Sequence, residues 1–286
     1  MKRSMKYLAL ALVVMLFAGL MACGTETPAK SADPSTEPSA ASAKFRVLEG
    51  SLAEEEYGIG FRKGDELRDV VNAALKVLAA DGTMAEISNT WFGEDITTIE
   101  ADATALDGMR VEARDFVLGL DDSFPPMGYR DSNNEVVGFD IDLAKAVCEK
   151  LGWTLKIQPI DWDTNEMELN AGNVDCLWNG MTLTDARKES MSCSDAYMKN
   201  EQVVVVMADS TYQTKEDLKD KSLALQTGSS AEEALASATE FKASLKAANT
   251  FKDNMTCFMD LEQGSSDAVL VDSIVADWYI KTGNVA

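Results

Sequence analysis

The chain of 286 residues sets 26 Lys and Arg against 48 Asp and Glu, a net charge of −22, and contains no His. Without His, Ser-His-Asp and Cys-His nucleophiles and His-ligated metal centres are excluded, and the acidic excess rules out neutralising a phosphate backbone, so no nucleic-acid partner is expected. Hydrophobic residues at 46% and charged residues at 26% are ordinary for a globular protein, and the length suits two compact lobes.

The first residues read as an export signal. Lys2, Arg3 and Lys6 precede an apolar run over 7–20, too short for a typical membrane span, and Leu20-Met21-Ala22-Cys23 matches a bacterial lipobox. Cys23 is therefore the expected lipidation site, making 1–23 a lipoprotein signal peptide and giving the chain a membrane anchor. Removal of the three leader cations deepens the net charge to −25. Residues 24–43 are Ser-, Thr-, Pro- and Ala-rich, cannot bury a core, and are expected to form a flexible tether. Of the remaining cysteines, Cys148, Cys176, Cys193 and Cys257, none fits zinc spacing; export permits disulfides, but no pairing is assigned.

Beyond the tether, 45–48 and 57–61 read as two short strands, 65–80 as an amphipathic helix and 84–91 as a second. Residues 96–112, rich in Ala, Asp and Thr with weak periodicity, read as a linker. Strands follow at 116–120, 154–160, 174–178, 202–207 and 268–271. Helices are expected at 139–151, 231–247 and 273–282, with a helical turn at 166–171. This alternation makes an α/β protein with mostly parallel sheets, whose ligands sit beyond the carboxyl ends of strands. The loops after Leu120, Trp178, Leu225 and Val271 lie there, and all are polar.

The most informative stretch is 174–187. A short buried strand breaks into Asn179-Gly180-Met181-Thr182, and Thr184-Asp185 can cap a helix with Arg187 in its first turn. A glycine backbone, a hydroxyl and a planar guanidinium fork suit a small carboxylate. An ordinary strand-turn-helix with a solvated Arg is the plain alternative.

Together with Gly138-Phe139-Asp140-Ile141-Asp142-Leu143-Ala144, Thr227-Gly228-Ser229-Ser230 and Asp267-Ala268-Val269-Leu270-Val271-Asp272, that stretch resembles the polar amino-acid family of extracellular solute-binding proteins, family 3, the receptors of ABC importers. The resemblance implies a periplasmic-binding-protein-like type II fold: two α/β lobes joined by a two-strand hinge, with 54–59 and 203–207 as crossovers. It also implies a function, the capture of a polar amino acid between the lobes and its delivery to an ABC transporter permease. The chain would be a monomer with no cofactor, lying outside the cytoplasmic membrane.

The order of segments departs from the family. Tyr57-Gly58-Ile59-Gly60-Phe61-Arg62-Lys63-Gly64 through Trp91-Phe92-Gly93 resembles the end of such proteins, yet it precedes the segment near Phe116 that should begin the fold. The expectation is a circular permutation in which 96–112 joins the usual termini. Lobe 1 would then be 57–202, and lobe 2 would comprise 44–56 and 203–286.

By resemblance, Arg187, Thr182 and the backbone at Ser229 and Ser230 would hold the ligand carboxylate. Asp272, the Gly180 carbonyl and the Thr182 hydroxyl would hold its ammonium, although Asp272 can equally cap the helix that follows it. Phe124 and Trp162 would stack on the side chain, and Asp121, Asn179 and Gln226 would meet its far end, with Gly180 and Met181 completing the site. An Asp there accepts equally from an amide, an ammonium or a guanidinium, and the acidity of the whole chain turns the expectation toward Arg or Lys, then Gln or His. Asp140 and Asp142 read as surface or structural. Two rival functions stay open: a cyclohexadienyl or arogenate dehydratase-like enzyme with Asp121 or Asp161 as acid, and an amino-acid-sensing receptor that does not transport.

Overall fold

The computed structural model describes residues 43–283, so the signal peptide, Cys23 and nearly all of the tether lie outside the described residues. Strand β1 (Phe45–Phe61) opens the fold and is followed by α1 (Leu67–Ala80) and α2 (Thr83–Phe92). Next come β2 (Asp115–Leu120), the small strands β3 (Ser123–Phe124), β4 (Gly128–Arg130) and β5 (Val136–Val137), then α3 (Phe139–Leu151) and β6 (Thr154–Pro159). The middle of the chain forms α4 (Asn165–Ala171), β7 (Cys176–Thr182), α5 (Asp185–Ser190), β8 (Ser192–Cys193) and β9 (Met198–Met207). The remainder is β10 (Ser222–Gln226), α6 (Ser230–Ser237), α7 (Thr239–Ser244), β11 (Ala247–Phe251), α8 (Asn254–Glu262), β12 (Ala268–Asp272) and α9 (Ser273–Thr282).

The main sheet runs β11-β10-β12-β9-β1-β7-β2-β6. At one end β2, β6 and β7 are parallel, and at the other β10, β11 and β12 are parallel. Each parallel set is the centre of one lobe. Between them β1 and β9 pair antiparallel from Phe45 opposite Met207 to Tyr57 opposite Met198. The far end of β1 then pairs with β7, and that of β9 with β12. Two long strands therefore cross between the lobes, as a hinge requires. The expected pair of strands at 45–48 and 57–61 is corrected to one strand. The apolar pattern vanishes over 49–56, but the ladder to β9 continues through register shifts on either side of Ser51, so backbone pairing carries what side chains do not announce.

Three further differences have local causes. The strand expected to stop at Trp178 runs to Thr182 and carries Gly180 at φ +56° inside it. A turn-like Asn-Gly pair here makes an irregularity in a continuing strand, where the facing β1 also shifts register between Gly58 and Gly60. The helix expected over 231–247 is two short helices that break at Ala238, and its tail enters β11, an edge strand whose alternating half-exposed residues gave no strand signal. The segment 96–112 has no helix or strand beyond one bridge, Thr97 to Met198. It is held to the fold by Thr98 N–H donating to the Tyr197 carbonyl and Asp102 N–H to that of Lys76, with Ile96, Ile99, Leu106 and Val111 packed on the core.

The inner strands β7, β10 and β12 are buried on both faces, which is why their sequences lack the alternation of a half-exposed strand. Cys148, Cys176 and Cys257 are buried and Cys193 is half-buried, all as free thiols. Among the described residues no helix is long and apolar enough to cross a membrane.

Candidate functional site

The carboxyl ends of the parallel strands from both lobes face one another across a small cavity. Asp121 lies just past β2, Phe124 on β3, Trp162 in the turn after β6, and Asn179, Gly180 and Thr182 on β7. Arg187 comes from α5. From the opposite lobe come Gln226 at the end of β10, Ser229 and Ser230 at the start of α6, and Asp272 at the end of β12. These residues were expected together, and the fold brings them together. Met181 is the exception. It does not line the cavity but belongs to a separate buried cluster with Leu177 and Met191; regular alternation would set it on the face of Asn179, and the left-handed Gly180 between them interrupts that alternation.

Arg187 is nearly fully buried. Its Nη1 donates to the Thr182 carbonyl at 2.9 Å and its Nη2 to the Gly228 carbonyl at 3.3 Å, and the guanidinium lies 5.9 Å from the centre of the Trp162 ring. The N-cap that places it is as expected, with the Thr184 hydroxyl accepting from the Arg187 N–H. Among the described residues no carboxylate forms an ion pair with Arg187, and burial lowers its pKa. A buried cation with only carbonyl partners is a strong attractor for an anion.

Asp272 presents the opposite charge. It stands at the N-cap position of α9 without a capping hydrogen bond, because its Oδ1 instead accepts from the Tyr57 hydroxyl and the Asn200 amide, each at 2.7 Å. Burial, then the nearby Glu55 carboxylate, raise its pKa. Burial likewise raises that of Asp121, whose carboxylate takes the Ser123 N–H and hydroxyl on one oxygen and the Gln226 amide on the other at 2.7 Å. Asn179 accepts the Asp121 N–H and so orients that carboxylate.

The lobes are closed on each other. Gln226 to Asp121, Arg187 to Gly228, and the Thr182 and Ser230 hydroxyls at 3.0 Å all bridge them. Gly228, at φ +71°, packs so tightly that a Cβ there would lie 2.9 Å from the Asp163 Cα. The cavity left between them has about 10 Å³ of room, enough for about one water. Anything the size of an amino acid enters only if the lobes part.

Beneath the site, Asp140 is fully buried. Its Oδ2 accepts the Gly180 N–H at 2.6 Å and the Tyr197 hydroxyl at 3.0 Å, which fixes the Gly180 backbone at its left-handed φ. Burial pushes its carboxyl up to about 7. The structural reading of Asp140 therefore holds, but as a buried strut and not a surface group. Asp142 binds the Trp91 indole and Lys145 at the surface.

Sequence reasoning passed over Glu55, Tyr57, Asn200 and Gln202. The Glu55 Oε2 accepts from the Thr182 hydroxyl, the Asn200 amide and the Gln202 amide at 2.9, 2.8 and 3.1 Å. In sequence Glu55 sits in a run of three glutamates that reads as solvated. Asn200 and Gln202 alternate just before an apolar run, and that spacing places both on one face of β9.

A family model described as bacterial extracellular solute-binding proteins, family 3, matches residues 8–94 and 116–272. The chain belongs to this family. The arginine-binding extracellular protein ArtP of Bacillus subtilis is 30% identical over 169 residues, 59% of this chain and 65% of that protein. This chain thus spans slightly less than two thirds of that relative's length. Among solved structures, the substrate-binding protein of an ABC uptake transporter from Streptococcus pneumoniae with bound histidine is 39% identical, with a TM-score of 0.58 over 59% of this chain and 70% of its own. An ancestral arginine-binding protein bound to arginine is 35% identical, with a TM-score of 0.56 over 60% of this chain and 76% of its own. The periplasmic-binding-protein-like α/β fold follows from these likenesses and from the two-lobed sheet.

Proposed function

We propose that this family member is an extracytoplasmic receptor that encloses a free polar L-amino acid between its lobes and delivers it to an ABC transporter permease. The observation that carries the reading is the pair of buried, opposite and unneutralised charges, Arg187 in one lobe and Asp272 in the other. An α-carboxylate on Arg187 and an α-ammonium on Asp272, the Gly180 carbonyl and Thr182 satisfy both. Phe124 and Trp162 then flank the side-chain stem, and Asp121, held by Asn179 and Gln226, meets its far end. A buried carboxylate at that end favours Arg or Lys, then Gln or His. The names of relatives that bind arginine and histidine support the same choice.

Closure follows the β1 and β9 hinge, with inter-lobe bonds from Gln226, Arg187 and Ser230 re-forming over the ligand. The chain order is proposed to be a circular permutation. Support comes from the family match, which breaks between 94 and 116 where the linker lies, and from alignments that cover only about three fifths of the chain. It comes also from the edge-on contact of Phe45 with Phe258 and the tilted contact of Phe258 with Tyr279, which bring the start of β1 and the last helix into one lobe. Attachment through an acylated Cys23 is part of the same proposal.

Calorimetric titration with arginine, lysine, histidine and glutamine tests the function. One molecule should bind per chain, and Arg187→Ala should weaken binding by about 2–5 kcal/mol, roughly 30-fold or more in Kd. Equal affinity in the variant refutes the placement of the carboxylate.

A further inference from the structure

The space between the lobes does not end at Asp121. Beyond that residue lies a second, larger hollow of about 570 Å³. Asp121 and Trp162 line both spaces, whereas Gln226 lines only the inner one. The Gln226 amide donating to Asp121 at 2.7 Å therefore stands at the boundary between them. The amino-acid reading puts the end of the ligand's side chain at this boundary, so a longer or substituted side chain reaches the outer hollow.

Two features of the walls define what the hollow accepts. The first is aromatic. Tyr129 on β4 comes from one lobe and Trp278 on α9 from the other, and their rings meet with centres 5.1 Å apart and planes at 56°. The second is a surplus of negative charge. Lys252 pairs with Asp253 at 3.3 Å and Arg130 with Asp122 at 2.6 Å. That leaves Asp121, Asp131 and Asp161 on the wall with no ion pair among the described residues. Rings beside unpaired carboxylates suit a cation with an apolar surface, because a ring face attracts charge without needing an N–H donor. A cation that keeps its N–H groups is served by Asp121 alone.

We propose that the outer hollow is a distal subsite for amino acids whose side chain ends in an N-alkylated cation, such as a methylated lysine or arginine. The α-carboxylate and α-ammonium sit on Arg187 and Asp272, the chain passes Asp121, and the alkylated nitrogen rests against Tyr129 and Trp278. Because these two rings come from different lobes, the subsite is complete only when the lobes are closed. A quaternary nitrogen has no N–H to give Asp121, so a site that ended there would reject it. The inference rests on the amino-acid reading above.

The test is calorimetric titration of the full chain with L-lysine, L-arginine and Nε-trimethyl-L-lysine. The trimethylated ligand should bind within about tenfold of the tighter of the other two, or more tightly than both. Trp278→Leu should weaken it by about 3- to 30-fold more than it weakens the unmethylated ligand. Trp278→Phe, which keeps a ring face, should restore most of that difference, and Tyr129→Leu should repeat the loss from the other lobe. Comparing two ligands on one variant cancels any effect on folding or closure. If lysine or arginine binds and the trimethylated ligand is more than about tenfold weaker, the subsite is refuted without any variant and the receptor reading stands. Equal weakening of both ligands by Trp278→Leu and by Tyr129→Leu also refutes the subsite, since the methyl groups then lie elsewhere. If none of the three binds, the receptor reading fails for cationic amino acids and the subsite falls with it.

Discussion

Asp140 gives a quantitative check on how the floor of the site is built. It is fully buried, its second oxygen has no hydrogen-bond partner among the described residues, and its carboxyl sits at about 7 against an ordinary 3.8. Because the folded pKa is raised, the folded protein binds the proton more tightly than the unfolded chain. Stability is therefore lost as pH rises from about 4 to about 7 and is level above that. At 1.36 kcal/mol per unit the full shift corresponds to about 4 kcal/mol. About half of that, some 2 kcal/mol, falls between pH 5.5 and 8.5. Asp140→Asn cannot ionise and keeps an oxygen to accept from the Gly180 N–H. Its melting temperature relative to wild type should therefore rise between those two pH values by about 4–8 °C, at about 2–4 °C per kcal/mol. Any fixed cost of placing an amide there cancels in the difference. Differential scanning fluorimetry at the two pH values reads it directly, and a gap that does not change with pH refutes the assignment.

Three other substitutions follow from the closed cleft. Gly228→Ala places a Cβ against Asp163 across the lobes and at a φ that favours glycine, so binding should weaken about tenfold or more by calorimetry, and the backbone strain should lower the unliganded melting temperature by about 2–4 °C. Asp121→Asn removes the buried carboxylate at the far end of the cavity, and should reduce affinity for arginine and lysine much more than for glutamine. Asp272→Asn should raise the melting temperature of the ligand-free protein at pH 8, since a costly buried charge is gone, while abolishing amino-acid binding in titrations at the same pH.

Where the sequence was legible, each signal had one physical source. The helices at Phe139–Leu151 and Ser273–Thr282 lie where they were expected, and each ends at a glycine in the left-handed region. The ends of β2, β10 and β12 were visible because apolar runs stop at polar loops, which placed Asp121, Gln226 and Asp272 at one end of the strands. Arg187 followed from Thr184, whose capping hydrogen bond is the one expected. The hinge was not legible. Over 49–56 the strand β1 is half-solvated on both faces, so nothing alternates, and the ladder to β9 is a property of backbone pairing. Glu55 was lost for the same reason: between Glu54 and Glu56 it looks like surface charge. Only the strand's alternation turns it inward toward Asn200 and Gln202. Met181 shows the converse, a residue drawn into the site by its neighbours in the motif but set apart from Asn179 by the irregular backbone at Gly180.

The central claim is that this cleft binds a free amino acid, and a thermal-shift screen against the twenty standard amino acids tests it most directly. A ligand at 100 times its Kd adds about 2.7 kcal/mol, a rise of roughly 5–10 °C for a chain of this size. The account predicts such a shift for arginine or lysine, smaller ones for glutamine or histidine, and at most about a third of it in Arg187→Ala at the same ligand concentration. A folded protein whose melting temperature is unmoved by all twenty would contradict it.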